Sequence, residues 1–155
     1  MMTDFHYRVH GWANDRGILV NSSPSAQMLK LMEEAGELAE SIRKCKSPID
    51  DIGDCMVVLA ILASMSGCTL SSCKYDSPIR GRNILRLMES MGRLAESIAK
   101  SKSPQEDIGA CIASLISIAS SSKLTLEECT DHAWNEIKYR AGYLNENGVF
   151  IKASE

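Results

Sequence analysis

The sequence predicts an all-α fold: a helical bundle built from two tandem helix-pair repeats, followed by a C-terminal helix and a short extended tail. Three observations lead there. The stretch 29–63 (LKLMEEAGELAESIRKCKSPIDDIGDCMVVLAILA) returns 56 residues later over 85–119, with about 20 of 35 paired positions identical. All four prolines (Pro24, Pro48, Pro78 and Pro104) follow a serine. Ser at the N-cap with Pro at the first helical position is a helix start, because that N–H has no intrahelical partner anyway. Apolar residues make up 45% of the chain but aromatics only 5%, a balance of Ala, Leu, Ile, Met and Ser that suits closely packed helices better than a β-sandwich.

Taken in order, a short helix is expected over 5–15, ending at Arg16-Gly17. The four Ser-Pro starts open helices over 24–45, 48–66, 78–101 and 104–121. Ser103-Pro104-Gln105-Glu106 has a capping-box pattern, and Asp50 offers a shorter acid at the same place in the first copy. Within 24–45, Met28, Met32, Ala35, Leu38, Ala39 and Ile42 form an apolar stripe, with Lys30, Glu33, Glu37, Glu40 and Lys44 opposite it. The next helix is apolar nearly all round beyond Asp54, which predicts a central position. A short polar linker covers 71–77. The last helix runs from Thr125 or Leu126 to Arg140 and stops at Ala141-Gly142. A turn at 145–148 then leads into an extended tail. The whole is expected to be one domain over 1–155, with an active copy over 24–70, a degenerate copy over 78–126, and the C-terminal helix and tail over 125–155.

The totals also exclude some classes. A net charge of −3 gives no basic footprint for a nucleic-acid polymer. The N-terminus has no apolar signal core, and the longest apolar run, from Cys55 to Met65, is too short to span a bilayer. No membrane association is expected, and the expected compartment is the cytoplasm. Six cysteines are widely spaced with no C-x-x-C pair, and are expected to be reduced and mostly buried thiols.

The two copies differ where chemistry would be. Glu34 becomes Ser90, Glu37 becomes Arg93, and Asp54 becomes Ala110. In the first copy Glu33, Glu34 and Glu37 lie within one helical turn, and Asp51 and Asp54 lie three apart on the next helix. Antiparallel packing would let the two sets converge as an oxygen-only site suited to Mg²⁺, with Mn²⁺ as an alternative. Two carboxylates about 6 Å apart repel by about 0.7 kcal/mol in water and more when partly buried. The cluster, with no basic residue apparent in the pattern, is therefore expected to need a cation. Glu40 and Glu96, kept in both copies, read as solvated or structural.

The pattern E-E-x-x-E, a Ser-Pro turn, then D-x-x-D on an apolar helix resembles the MazG-like all-α nucleotide pyrophosphohydrolases. The flanks resemble the small phage and bacterial members: Trp12-Ala13 with Arg16-Gly17-Ile18 before Gln27-Met28-Leu29-Lys30-Leu31, and Ala133-Trp134-Asn135-Glu136-Ile137-Lys138-Tyr139-Arg140 before Gly148-Val149-Phe150-Ile151-Lys152. The resemblance implies hydrolysis of nucleoside triphosphates to the monophosphate and pyrophosphate. It implies Glu34, Glu37, Asp51 and Asp54 as metal ligands, and Glu33 as a further ligand or, with Glu37, as a residue that handles the attacking water. Asp51 departs from the glutamate frequent at that place. Lys138, Arg140 and Lys152 are candidate phosphate contacts, Asn135 a candidate for a base edge or sugar hydroxyl, and Trp12 a candidate stacking residue. Trp134 is assigned to the core. The family also implies a homodimer or tetramer, with the second copy here acting as a subunit in cis. The alternative is a helical nucleotide-binding or assembly protein that keeps the fold without catalysis.

Overall fold

The computed structural model describes residues 1–74 and 84–153. It is an all-α bundle of α1 (Met2–Asp15), α2 (Ile18–Asn21), α3 (Pro24–Arg43), α4 (Ile49–Met65), α5 (Ile84–Ala99), α6 (Gln105–Ser121) and α7 (Leu126–Ile137). A 3₁₀ turn covers Leu70–Ser72, and β1 (Gly142–Leu144) pairs antiparallel with β2 (Phe150–Lys152), Tyr143 opposite Ile151. The expected start at Pro78 lies outside the described residues, as do residues 75–77 of the linker.

Helix α4 is the hub. It is buried from Asp51 to Ala63 except at Asp54, and α1, α3, α6 and α7 all pack on it. Its nearly uniform apolarity is what a helix with neighbours on every side requires. The short α2, unmarked in the sequence by any strong start signal, is launched by Gly17 in the left-handed region (φ 69°) and buries Ile18.

Several sequence expectations are corrected. Of the three Ser-Pro starts among the described residues, only α3 uses its serine as a cap: Ser23 Oγ accepts from Ala26 N–H at 3.1 Å, with Pro24 at the first helical position. At α4 and α6 the prolines are themselves the caps. Pro48 and Pro104 carbonyls accept from Ile52 and Ile108 N–H, and no side chain caps either helix. The Ser103–Glu106 box therefore does not form. The reciprocal box instead opens α7, between Thr125 and Glu128. The buried face of α3 is Gln27, Leu31, Glu34, Ala35 and Leu38, while Met32, Ile42 and Leu29 are exposed. The stripe read from the sequence is thus rotated, because Glu34 faces inward. Helix α7 ends at Ile137 rather than Arg140, and the tail is a two-stranded hairpin rather than a lone extended segment.

The repeat reaches further than the 35 residues in which it is obvious. The helix ends match: Cys45 and Ser101 are both left-handed (φ 55° and 52°), as are Gly67 and Lys123 (φ 71° and 60°). Thr69-Leu70-x-x-Cys73 then aligns with Thr125-Leu126-x-x-Cys129. The 3₁₀ turn after α4 is consequently the counterpart of the first turn of α7. These third elements are exchanged between the copies. A Cβ on Gly53 of α4 would meet the Cys129 carbonyl of α7 at 2.4 Å, and one on Gly109 of α6 would meet the Lys74 and Cys73 carbonyls at 2.8 and 3.0 Å. Each glycine removes a side chain so that the other copy's third element can lie against its helix.

Candidate active site

One concave site stands out, a cavity of about 560 Å³ between α3, α4, the end of α7 and the hairpin. That volume lies within the usual range for small-molecule sites. One end is acidic, lined by Glu33, Glu34 and Glu37 of α3 and by Asp50 and Asp54 of α4. The other is apolar, lined by Trp12, Ile18, Val57, Val58, Ile61 and Phe150, with Gln27 among them. Glu136, Arg140 and Lys152 border it from α7 and the hairpin.

Of the residues chosen from sequence, Glu33, Glu34, Glu37, Asp54, Arg140, Lys152 and Trp12 line this cavity. Asp51, Asn135 and Lys138 do not. Asp51 is buried, 9% exposed, and its charge still reaches Glu37 of α3, but Asp50 takes the lining position. Both aspartates are within a turn of Asp54, three and four residues away, and it is Asp50 that lines the cavity with it. Asn135 is exposed and accepts from Lys138 Nζ at 2.8 Å, and that ammonium also lies over the Tyr139 ring. The pair belongs to the outer face of α7. Asp50 and Glu136 are lining residues that periodicity did not single out.

The acids are not without a basic neighbour. Lys30 Nζ contacts Glu34 Oε1 at 2.8 Å and Glu33 Oε1 at 3.0 Å. Burial pulls the Lys30 ammonium pKa down, but its hydrogen bonds to Glu34 and Glu33 outweigh this and the net shift is upward. Burial pushes Asp54 up to about 7, helped by Glu34 and Asp50, against the opposing charges of Arg140 and Lys30. Glu37 is also raised, by desolvation and then by Glu34 and Glu33. Among the described residues no group of three or more acid, His or Cys side chains is gathered closely enough to enclose a metal ion. The donors are nonetheless all carboxylates facing one cavity, with Lys30 as their internal counter-charge, and this donor chemistry fits a hard divalent cation.

Trp12 and Arg16 are structural in a way the sequence did not show. Trp12 Nε1 donates to the Ile137 carbonyl at 2.8 Å, and Arg16 Nε and Nη2 donate to the Arg140 carbonyl at 2.9 and 2.8 Å. The Ile137 carbonyl also accepts from Arg140 N–H at 2.8 Å, so Trp12 adds a second bond at the end of α7, while Arg16 satisfies a carbonyl just beyond it. Trp12 is 7% exposed, with Arg16 over its ring and Phe150 at its edge. It therefore forms the cavity wall and is not a free stacking plate. The hairpin is held as well: Ser22 Oγ donates to the Gly148 carbonyl and accepts from Gln27 Nε2. Trp134 packs partly buried against the core. His132, on the same helix, approaches Asp50 at 3.4 Å.

The degenerate copy shows what replaced the acids. Arg93, in the place of Glu37, lies 3.8 Å from Glu89, and Asp107 accepts from Ser97 Oγ at 2.6 Å. Ser90, in the place of Glu34, turns back to the Arg86 carbonyl of its own helix.

No single helix among the described residues is long and apolar enough to cross a membrane. No protein-family model and no solved structure matches the chain. It is similar to an uncharacterized 18.2 kDa protein in the rep-hol intergenic region of Haemophilus phage HP1 (strain HP1c1), with 45% identity over 60 residues that make up 37% of this chain and 37% of the relative.

Proposed function

We propose that the chain is a MazG-like nucleoside triphosphate pyrophosphohydrolase with one site per chain, acting with Mg²⁺ or Mn²⁺ in the cytoplasm of a bacterium or of a phage-infected cell. The observation that carries this is the polarity of the cavity between α3, α4, the end of α7 and the hairpin. Carboxylates line one end, an apolar slot of nucleobase character forms the other, and Arg140 and Lys152 stand at its border.

Glu33, Glu34, Glu37, Asp50 and Asp54 would hold the divalent ion, with Asp51 behind them in support. When bound, that ion supplies charge neutralisation of the triphosphate and a more acidic water. Arg140 and Lys152 attract phosphate oxygens from the opposite side. Glu37, with its raised pKa and its exposure, is suited to take the proton of the attacking water, and Glu33 beside it to orient that water. The apolar wall of Trp12, Val57, Val58, Ile61 and Phe150 excludes solvent from the base.

The test is pyrophosphate release from a panel of ribo- and deoxyribonucleoside triphosphates with Mg²⁺ or Mn²⁺. Activity is expected in the wild type, abolished by Glu37→Gln or Asp54→Asn, and retained in Arg93→Ala, which lies outside the cavity. The ion pairs of Lys30 with Glu33 and Glu34 favour a second reading, a nucleotide-binding or assembly protein that needs no metal. Nucleotide binding with chelator present, and no pyrophosphate from any substrate, would establish that reading instead. The family's pairing into dimers or tetramers is part of the proposal. Leu29 and Met32 of α3 and their repeat equivalents Leu85 and Met88 of α5 are all more than half exposed, the kind of surface a second copy would cover.

A further inference from the structure

We propose that Cys68 and Cys73 form a reversible dithiol–disulfide site that fastens the connection between the two copies. The two sulfurs lie 3.6 Å apart across the 3₁₀ turn that follows α4. A disulfide needs about 2.05 Å, so closure requires the sulfurs to approach further within a turn that already holds them side by side. The backbone around them is fixed by short-range bonds. Cys68 N–H donates to the Ala63 carbonyl at 3.0 Å, Thr69 and Ser72 cap each other reciprocally, and Gln105 Nε2 of α6 donates to the Ser72 carbonyl at 2.7 Å. Cys73 and Lys74 then lie against Gly109. The pair therefore sits where the chain leaves the first copy and meets the second.

The two thiols are unequal in a way that suits sequential exchange. Cys68 is half-buried, whereas Cys73 is buried and its thiol is pushed up to about 12 by burial and by the neighbouring Cys68. Cys68 is the accessible attacking sulfur and Cys73 the resolving one. With glutathione disulfide as oxidant, the Cys68 thiolate attacks one sulfur and expels a glutathione thiolate. Cys73 then gives its proton to solvent, attacks the Cys68 sulfur and expels the second glutathione thiolate. One glutathione disulfide takes up two electrons and the chain gains one S–S bond. The second copy is a built-in contrast. Leu124 stands in the place of Cys68, so the equivalent Cys129 has no thiol at the corresponding position. The site is independent of the proposed catalysis.

The experiment uses the full chain in glutathione buffers of increasing oxidised fraction, followed by acid quench, alkylation under denaturing conditions and mass spectrometry. In the oxidised wild type Cys68 and Cys73 escape alkylation together. Chymotryptic cleavage after Leu70 then leaves two fragments joined until a thiol reductant separates them. Cys73→Ser retains a glutathione adduct on Cys68, because nothing resolves it, while exposed Cys45 carries its adduct in both forms and serves as a reference. The inference is overturned if wild-type Cys68 and Cys73 remain fully alkylated when Cys45 is modified. It is equally overturned if the wild type keeps as much adduct on Cys68 as the Cys73→Ser chain. The wild-type map alone decides the first point, so it does not depend on the variant folding.

Discussion

At the residue scale, the decisive fact is that Glu34 is turned inward and shares Lys30 with Glu33. Removing the ammonium by Lys30→Met leaves a carboxylate 6% exposed without its counter-charge. An uncompensated buried charge is costly, and with Lys30 itself 30% exposed the expected loss is about 1–3 kcal/mol in chelator, read by urea denaturation. On the proposed reading Mg²⁺ recovers part of that loss; equal loss with and without Mg²⁺ would argue against the cation site. Asp54 gives a second prediction. Its folded pKa, about 7, exceeds its unfolded one, so the folded state binds more protons between the two values. The metal-free protein should therefore gain stability as pH falls from about 8 through 7 toward 5, and Asp54→Asn should flatten that part of the melting profile. Mg²⁺ needs the ionised carboxylate, so its stabilisation should grow over the same interval as pH rises. The sequence made Glu33, Glu34, Glu37 and Asp54 legible because their counterparts in the second copy include Ser, Arg and Ala. It could not choose between Asp50 and Asp51, since spacings of three and four both satisfy a shared face. That choice is made by where α3 and α7 press on α4.

At the scale of elements, six helices were readable from apolar periodicity and Ser-Pro starts, though the described part of α5 begins only at Ile84. What failed was finer. Pro48 and Pro104 share the Ser-Pro signature of Pro24 yet stand one position earlier relative to their helices, because their own carbonyls accept the first helical bonds. The exposed Met32 and Ile42 had the spacing of core residues, and only the inward turn of Glu34 sets the true face. The α4–α7 contact is governed by Gly53. Gly53→Ala would place a methyl 2.4 Å from the Cys129 carbonyl and 2.7 Å from Ala133 Cβ. Both are parts of a packed helix that can yield only by moving as a whole. The expected cost is about 2–4 kcal/mol, measurable by thermal or urea unfolding, together with weaker nucleotide binding as Arg140 moves with α7. An unchanged melting temperature would mean that α7 is not seated on that glycine.

At the scale of the whole molecule, the duplication is a reciprocal exchange and not two side-by-side pairs. The acidic copy receives α7 from the second copy, with Glu136 and Arg140 at the cavity, while the second copy receives in return only the Cys73–Lys74 segment that follows the 3₁₀ turn, seated at Gly109. The signal was present in the sequence as Thr-Leu-x-x-Cys at 69–73 and 125–129, but it lies outside the region of dense identity. Deleting residues 74–129, so that Cys73 is followed by Thr130, restores one copy with one full third helix. Since that helix belongs on the other copy's α4, the shortened chain is expected to be a dimer with two equivalent acidic cavities, read by light scattering. A folded monomer would show that the exchange is dispensable.

The reciprocal seats at Gly53 and Gly109 also bear on how this protein behaves when scarce. In a two-chain version each cavity would exist only at concentrations where the partners meet, and would fall apart on dilution. Here both partners are tethered by the same backbone, so the effective concentration of α7 at its seat is fixed by chain length and not by expression level. The wall carrying Arg140 is present from the first folded copy onward, even in a cell that holds very few of them.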